Sequence, residues 1–378
     1  MMAFRALLID AYRQLSAAKL FWLTLGLSVL VVVLFGSIGF NDKGMSIFFG
    51  LTQIENDMFT SGSVWSRGLY IGIYSNFLVT VWLAWIATVL ALISTCTIFP
   101  EFVRGGSIEM SLSKPVSRLQ LFFMKYVVSL LFVLLQVTVF CVGIFFCVGL
   151  RLGEWNWNLF AAVPIVLVFY SYLFSVNVFV GVLTRSSITA LLLTVIFWMG
   201  LWSSQTAETL LNQFVTQQEV KIDSFEEGII EDEVELLALI EKSPDDFRIE
   251  RKRERINSMK EDVREARESF DQIEAWHRPT KWVLTVLPKT GQTIGLLDRW
   301  MSDNSGFDIA AIMRGEMDVF ENMEEIDVTT HGARERETTR RLLEDYRGRS
   351  LWYVVGTSLL FEGFILAIAA WIFVRRDY

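Results

Sequence analysis

The chain is 378 residues long, 53% hydrophobic and only 20% charged, where soluble globular domains average roughly 45–50% and about 25%. Mean hydropathy is +0.41, and the net charge of −8 arises mostly after residue 211. With no basic domain, zinc spacing or RNA-binding signature, these values exclude an ordinary soluble domain and give no support to a nucleic-acid binder.

The first twenty residues, "MMAFRALLIDAYRQLSAAKL", are not a cleavable signal. Arg5, Asp10, Arg13 and Lys19 are spread through them, and the apolar block behind is as long as a full span. Ala3, Leu7, Leu8, Ala11 and Leu15 recur at helical spacing, which predicts an amphipathic helix lying at the membrane surface. The alternative is a helical extension of the first span. Five apolar blocks follow, each able to form the roughly 20-residue helix that crosses a bilayer: Phe21–Phe40, Ile71–Phe99, Leu119–Leu150, Leu159–Leu183 and Ile188–Leu211. A sixth, Leu351–Val374, closes the chain. Cys96, Cys141 and Cys147 all fall inside apolar blocks and read as small buried side chains. Asn76 and Asn177 lie in or near spans, where single amides mostly join helices.

Between the second and third blocks lies "FPEFVRGGSIEMSLSKPVSRLQLFFMKY" (Phe99–Tyr126), too polar to continue either. Pro100 is expected to end the second span, and Gly105-Gly106 permits a sharp reversal. "SIEMSLS" is expected to form a short helix capped by Ser107, with Glu109 near its positive end, stopped at Lys114-Pro115. Ser117 caps the third span, and Arg118 and Lys125 stay at the membrane surface. The product is a helical elbow pinned on both sides.

After the fifth block the chain turns polar. In "FRIERKRERINSMKEDVREARESFDQIEAW", Ile249, Ile256, Val263 and Phe270 recur every seven residues, and Met259, Ala266 and Ile273 fill the companion positions, as in a solvated coiled-coil helix. Upstream, Ile230, Val234 and Leu237 mark one face of another helix. "KSPDD" (Lys242–Asp246) is the turn between them, with Asp245 as the next cap. Two arrangements follow: a helical hairpin projecting from the membrane, or one solvated helix packed on the protein's own outer surface. "WHRPTKWVLTVLPKTGQTIGLLDRW" (Trp276–Trp300) is apolar but broken by Pro288 and Gly291; Trp276, Trp282 and Trp300 suit an interfacial or re-entrant segment. Residues 301–350 are polar and carry no motif.

Basic residues set orientation. Arg5, Arg13, Lys19, Arg104, Lys114, Arg118, Lys125, Arg185, Arg375 and Arg376 fall in the N-terminal segment, alternate connections and the tail, while 41–70 holds Lys43 and Arg67 and 151–158 only Arg151. Six spans with both termini in the cytoplasm satisfy this pattern and put residues 212–350 outside. The expected architecture is therefore an all-α, multi-pass protein of the inner (cytoplasmic) membrane. Residues 1–211 form the interfacial helix and spans one to five, 212–350 an extracytoplasmic insertion, and 351–378 the last span and tail.

Catalytic constellations are sparse. His277 and His331 have no nucleophile pattern beside them and read as solvated; no HExxH, CxxC, GxSxG or Walker loop occurs. No metal site or cofactor is expected in this chain. Glu362, in "LLFEGFILAIAAW", is the clearest intramembrane ionisable residue. An acid at mid-membrane is costed at roughly 2.5–3.5 kcal/mol on insertion scales, so it faces protein or water, or is protonated. It is either a pathway residue or a helix-packing contact.

The elbow closely resembles the cytoplasmic segment of type-2 ABC transporter permeases, the membrane subunits of ATP-binding-cassette exporters. The matching positions are Glu101, Gly106, Ser107, Ile108, Glu109, Leu112, Ser113, Lys114, Pro115, Val116, Ser117, Arg118 and Lys125. "FVRRDY" is similar to that family's basic ending, and "LPKTGQ" to a Pro-containing segment before its last span. The likeness covers 1–211 and 276–378 in outline, with 99–126 its specific part; the hairpin departs from compact members. The resemblance implies an elbow (Glu101, Arg104, Gly105, Gly106, Ser107, Ile108, Glu109, Lys114, Pro115, Arg118, Lys125) that seats in a separate cytosolic ATPase subunit. It also implies ATP and Mg bound on that subunit, no catalysis in this chain, and a homodimer or a pair with a paralogous permease. A non-transporting membrane scaffold that binds an envelope protein through the hairpin, and a secondary transporter, are the competing classes.

Overall fold

A computed structural model describes residues 19–55, 59–61, 63–104, 117–153, 155–242, 247–305 and 331–375. The N-terminal segment 1–18, most of the elbow (105–116), the "SPDD" part of the turn (243–246) and the tail 376–378 lie outside them. Two compact units divide the chain. One comprises Met1–Trp202, Leu287–Ile309 and Trp352–Tyr378; the other comprises Ser203–Val286 and Ala310–Leu351.

In the first unit, α1 (Lys19–Gly36) is followed by a small antiparallel meander of β1 (Gly39–Asn41), β2 (Gly44–Ile47) and β3 (Thr52–Glu55). Its register pairs Phe40 with Met45 and Met45 with Ile54. α2 (Val64–Gly72) runs through a π-helical stretch (Ile73–Ala87) into α3 (Thr88–Thr95), and α4 (Ile98–Arg104) follows a one-turn break. α5 (Arg118–Leu152), a 3₁₀ turn (Trp157–Ala161) and α6 (Ala162–Thr184) come next. α7 (Ser187–Lys242) is a 56-residue helix contributing to both units. α8 (Arg248–Val286) and α10 (His331–Gly348) belong to the second unit, while α9 (Thr290–Ser305) and α11 (Thr357–Arg375) return to the first.

Among the described residues, five helical runs are long and apolar enough to cross a membrane: Trp65–Val103, Arg118–Leu152, Trp157–Thr184, Ser187–Lys242 and Trp352–Arg375. Phe21–Gly36 is apolar but shorter. These helices keep large apolar side chains on the surface, among them Leu30, Leu135, Phe146, Ile196 and Phe364. A water-soluble protein rarely exposes such contiguous apolar surface, and the pattern is that of an integral membrane protein.

Two expectations change here. The first apolar block does not stay helical to Phe40. The backbone turns at Ser37, whose hydroxyl donates to the Leu34 carbonyl, and Phe40 enters β1. The fold remains all-α, with one small strand meander in this connection. Pro100 does not end the second span: α3 stops at Thr95, and Pro100 sits in the first turn of α4, where its missing N–H is no loss.

The core of the first unit is aromatic and close-packed. Tyr74 donates to the Leu159 carbonyl at 2.7 Å, and Tyr70 to the Phe35 carbonyl at 3.2 Å. α1 lies tightly on α5: a Cβ on Gly143 would come within 2.8 Å of Val32 Cγ1. Arg151, in the last turn of α5, donates to the Gly36 carbonyl at 2.9 Å and so caps α1. Cys96 and Cys141 are buried free thiols and Cys147 is half-buried. Asn177 donates to Thr194 Oγ1 at 3.3 Å, joining α6 to α7.

In the second unit, the later half of α7 pairs antiparallel with α8. Asp262 pairs with Lys221, Arg267 with Glu226, Lys260 with Glu233 and Lys252 with Asp232. On α8 the seven-residue pattern is the seam: Ile249, Ile256, Met259, Val263 and Ala266 are buried. On α7 the apolar face named from sequence is the exposed one. Ile230, Val234 and Leu237 are 62%, 63% and 68% exposed, and the buried positions are Val220, Ser224, Gly228 and Asp232. The buried Asp232 carboxylate is met by Lys252 at 2.7 Å and Arg255 at 3.1 Å.

Candidate functional site

Two places in the first unit gather the chemistry: the base of the elbow and a buried carboxyl between three helices. α4 brings the chain to the elbow and α5 takes it away. Ser117 starts α5 with a capping box, its hydroxyl accepting from the Gln120 N–H while the Gln120 side chain accepts from the Ser117 N–H. Apolar residues of α4, Phe99, Phe102 and Val103, are buried. Phe99 meets Phe122 of α5 edge-on at 5.2 Å between centroids, Phe102 stacks on Phe373 of α11 at 6.0 Å, and Phe122 lies 5.6 Å from Phe373. Both ends of the elbow therefore rest on one aromatic cluster, and such ring pairs each contribute about 0.5–1.5 kcal/mol beyond area burial. α6 seals this base from behind: a Cβ on Gly181 would stand 3.3 Å from the Pro100 ring.

Of the elbow residues named from sequence, Glu101 is exposed on α4, and Arg104 is the last residue of that helix. Arg118 reaches the C-terminal end of α11, donating to the Val374 carbonyl at 3.2 Å. Lys125 holds its ammonium 5.5 Å from the Phe102 ring centroid. Gly105, Gly106, Ser107, Ile108, Glu109, Lys114 and Pro115 lie outside the described residues.

Glu362 on α11 is 8% exposed. Its Oε1 is 2.7 Å from the Tyr126 hydroxyl of α5, and its Oε2 is 2.7 Å from Ser171 Oγ of α6. Tyr126 stacks on Phe174, which fixes the approach of its hydroxyl. One turn earlier on α11, Ser358 accepts from the Lys289 N–H at 2.9 Å, and Thr357 takes the Lys289 ammonium at 2.6 Å. That ammonium also lies 4.4 Å from the Tyr353 ring centroid, and Lys289 is only 4% exposed. Tyr172, fully buried beside Thr293, Ser358 and Glu362, reaches none of them in hydrogen-bonding geometry. A polar tract thus runs between α6, α9 and α11 inside an otherwise apolar core.

Sequence reasoning singled out Glu362 but missed Tyr126, Ser171, Tyr172 and Lys289. No local signal links positions so far apart. His277 was misread as solvated; it is 6% exposed, with Nε2 3.9 Å from Glu208 Oε1. Arg349 approaches the same oxygen at 3.7 Å and pairs with Asp345 at 2.9 Å. The clue was present, since His277 lies seven residues beyond Phe270 and continues the seam of α8. Among the described residues, no group of three or more His, Cys, Asp or Glu is placed to hold a metal ion.

Comparisons with family models, curated proteins and solved structures find no match to this chain.

Proposed function

We propose that this chain is the membrane-spanning permease subunit of an ATP-binding-cassette exporter of the type-2 class. In this reading it crosses the inner membrane six times, with an interfacial helix at its start and both termini in the cytoplasm. A separate cytosolic ATPase carries ATP and Mg, and two permeases, identical or paralogous, form the pathway. The elbow transmits the ATPase's movement, with Glu101, Arg104 and the 105–116 segment facing the partner and Arg118 and Lys125 steadying the base. Glu362 lies on the route through the bundle.

The observation that carries this reading is the elbow's footing. A passive turn needs only polar residues, but here the segment that resembles a coupling element starts and ends on helices bolted to one aromatic cluster. Force applied to 105–116 would reach α5 and α11 together instead of dissipating in a loose loop.

Co-expression with a Walker-loop ATPase, sought in the neighbouring reading frames, tests the reading. The complex should co-purify, and Glu109→Lys or Gly106→Pro should abolish stimulation of ATP hydrolysis while leaving the protein in the membrane. Full stimulation in both variants would reject coupling through the elbow. One observation favours a second reading, a non-transporting scaffold acting on an extracytoplasmic protein: Ile230, Val234 and Leu237 form an exposed apolar stripe on α7. That alternative requires loss of activity on deleting the hairpin and none on changing the elbow.

A further inference from the structure

The contacts around Glu362 do not balance unless its side chain carries a proton. Four oxygen–oxygen contacts meet there. Tyr126 Oη lies 2.7 Å from Glu362 Oε1 and 3.2 Å from the Ser171 carbonyl. Ser171 Oγ lies 2.7 Å from Glu362 Oε2 and 2.8 Å from the Val168 carbonyl. Three of these are at the usual length of an O–H···O bond, and each such bond needs one hydrogen between its oxygens. The two hydroxyls supply one hydrogen each, and carbonyls and a carboxylate supply none. With an ionised Glu362, one of the three short contacts is left as two lone pairs facing each other in a buried site.

A carboxylic acid supplies the missing hydrogen. Tyr126 then donates to Oε1, the acid O–H at Oε2 donates to Ser171 Oγ, and Ser171 donates to the Val168 carbonyl. Every short contact has its hydrogen. The 3.2 Å contact shares the Tyr126 proton as a three-centre bond, a common arrangement in folded chains. Among the described residues, no opposite charge is in direct contact with the carboxyl. Tyr126 faces it from α5 and Ser171 and Tyr172 from α6, while Lys289 is held one turn away at Thr357 and Ser358.

We infer that Glu362 is a proton-binding site that holds its proton at neutral pH and, in that form, clasps α5, α6 and α11 together. The inference stands on the contacts alone and holds whether or not the chain works as a permease. Losing the proton would leave Ser171 to choose between Glu362 and its own helix, so the fit of α11 against α6 depends on the protonation state.

Infrared spectroscopy of the purified full-length chain in lipid tests this. At neutral pH, where exposed carboxyls (ordinary value about 4.3 for Glu) are ionised, the wild type should show a carboxylic C=O band that shifts in heavy water. Glu362→Gln should lack it. Tyr126→Phe, which removes the donor to Oε1, should keep the band but move it to higher frequency, and it assigns the signal even if the Gln variant fails to fold. A spectrum with no such band at neutral pH, or one unchanged by both substitutions, overturns the inference.

Discussion

At the scale of single residues, the close approach of α1 to α5 rests on the absence of a side chain at Gly143. With Val32 Cγ1 2.8 Å from where a Cβ would stand, Gly143→Val overpacks the contact and should destabilise the protein by about 1–3 kcal/mol. Val32→Ala in the same chain should recover part of that loss, because it removes the atoms that clash. Thermal unfolding in detergent of both single variants and the double variant measures the coupling; strictly additive effects would show that the two helices do not meet there. Glu362 illustrates how residues differ in legibility. The sequence marks a carboxyl in an apolar run, yet its hydroxyl partners come from positions 126 and 171, brought together only by packing.

At the scale of elements, length and hydrophobic period carried most of the reading. Long apolar blocks became helices, and the seven-residue period of α8 became its buried seam. Other elements were hidden for physical reasons. β1, β2 and β3 are three or four residues each, too short for alternation to rise above a Gly-rich connection. The stripe of Ile230, Val234 and Leu237 has helical spacing but sits on the exposed side, while the buried side carries Val220, Ser224, Gly228 and the ion-paired Asp232. α10 is laced by charge instead. Arg340 binds both oxygens of Glu337 at 2.6 and 2.7 Å, and Arg341 adds a bond at 2.8 Å.

The hydrogen bonds from Arg340, followed by those from Arg341, hold the Glu337 carboxyl at about 2, below its ordinary 4.5. A lowered carboxylate stabilises the folded state above its unfolded value, and that share is lost as pH falls from 4.5 through about 2. The groups are largely solvent-facing, so the effect is small, about 0.2–1 kcal/mol. The stability advantage of wild type over Glu337→Gln should shrink across this acid range in pH-dependent melts. An advantage that persists unchanged to pH 2 would mean the pairs contribute nothing. On α8, Lys252 is shifted the other way, raised first by its hydrogen bond to Asp232 and then by Glu235. Its contribution is complete below 10.5 and is lost as pH climbs through the raised value.

At the scale of the whole molecule, composition alone announced a membrane protein, and five apolar helices bear that out. Sidedness is a separate question, set by charge in connections and by span parity. The proposed topology requires single cysteines at Ser107 and Ser113 to react with a membrane-impermeant thiol reagent only from the cytoplasmic side, and one at Glu241 only from the opposite side. Reversal of either result would remove the elbow from reach of any cytosolic ATPase. Cys96 and Cys141 are buried, and the half-buried Cys147 is replaced by Ser for this measurement.

α11 holds Phe373 in the aromatic base and Glu362 in the clasp, eleven residues apart, about three turns at 3.6 residues each and therefore on one side of the same rod. Two equilibria written on a single stiff helix are thermodynamically linked. If a partner's grip on the elbow alters how tightly the acid keeps its hydrogen, then the ambient hydrogen-ion activity must alter the strength of that grip by the same factor.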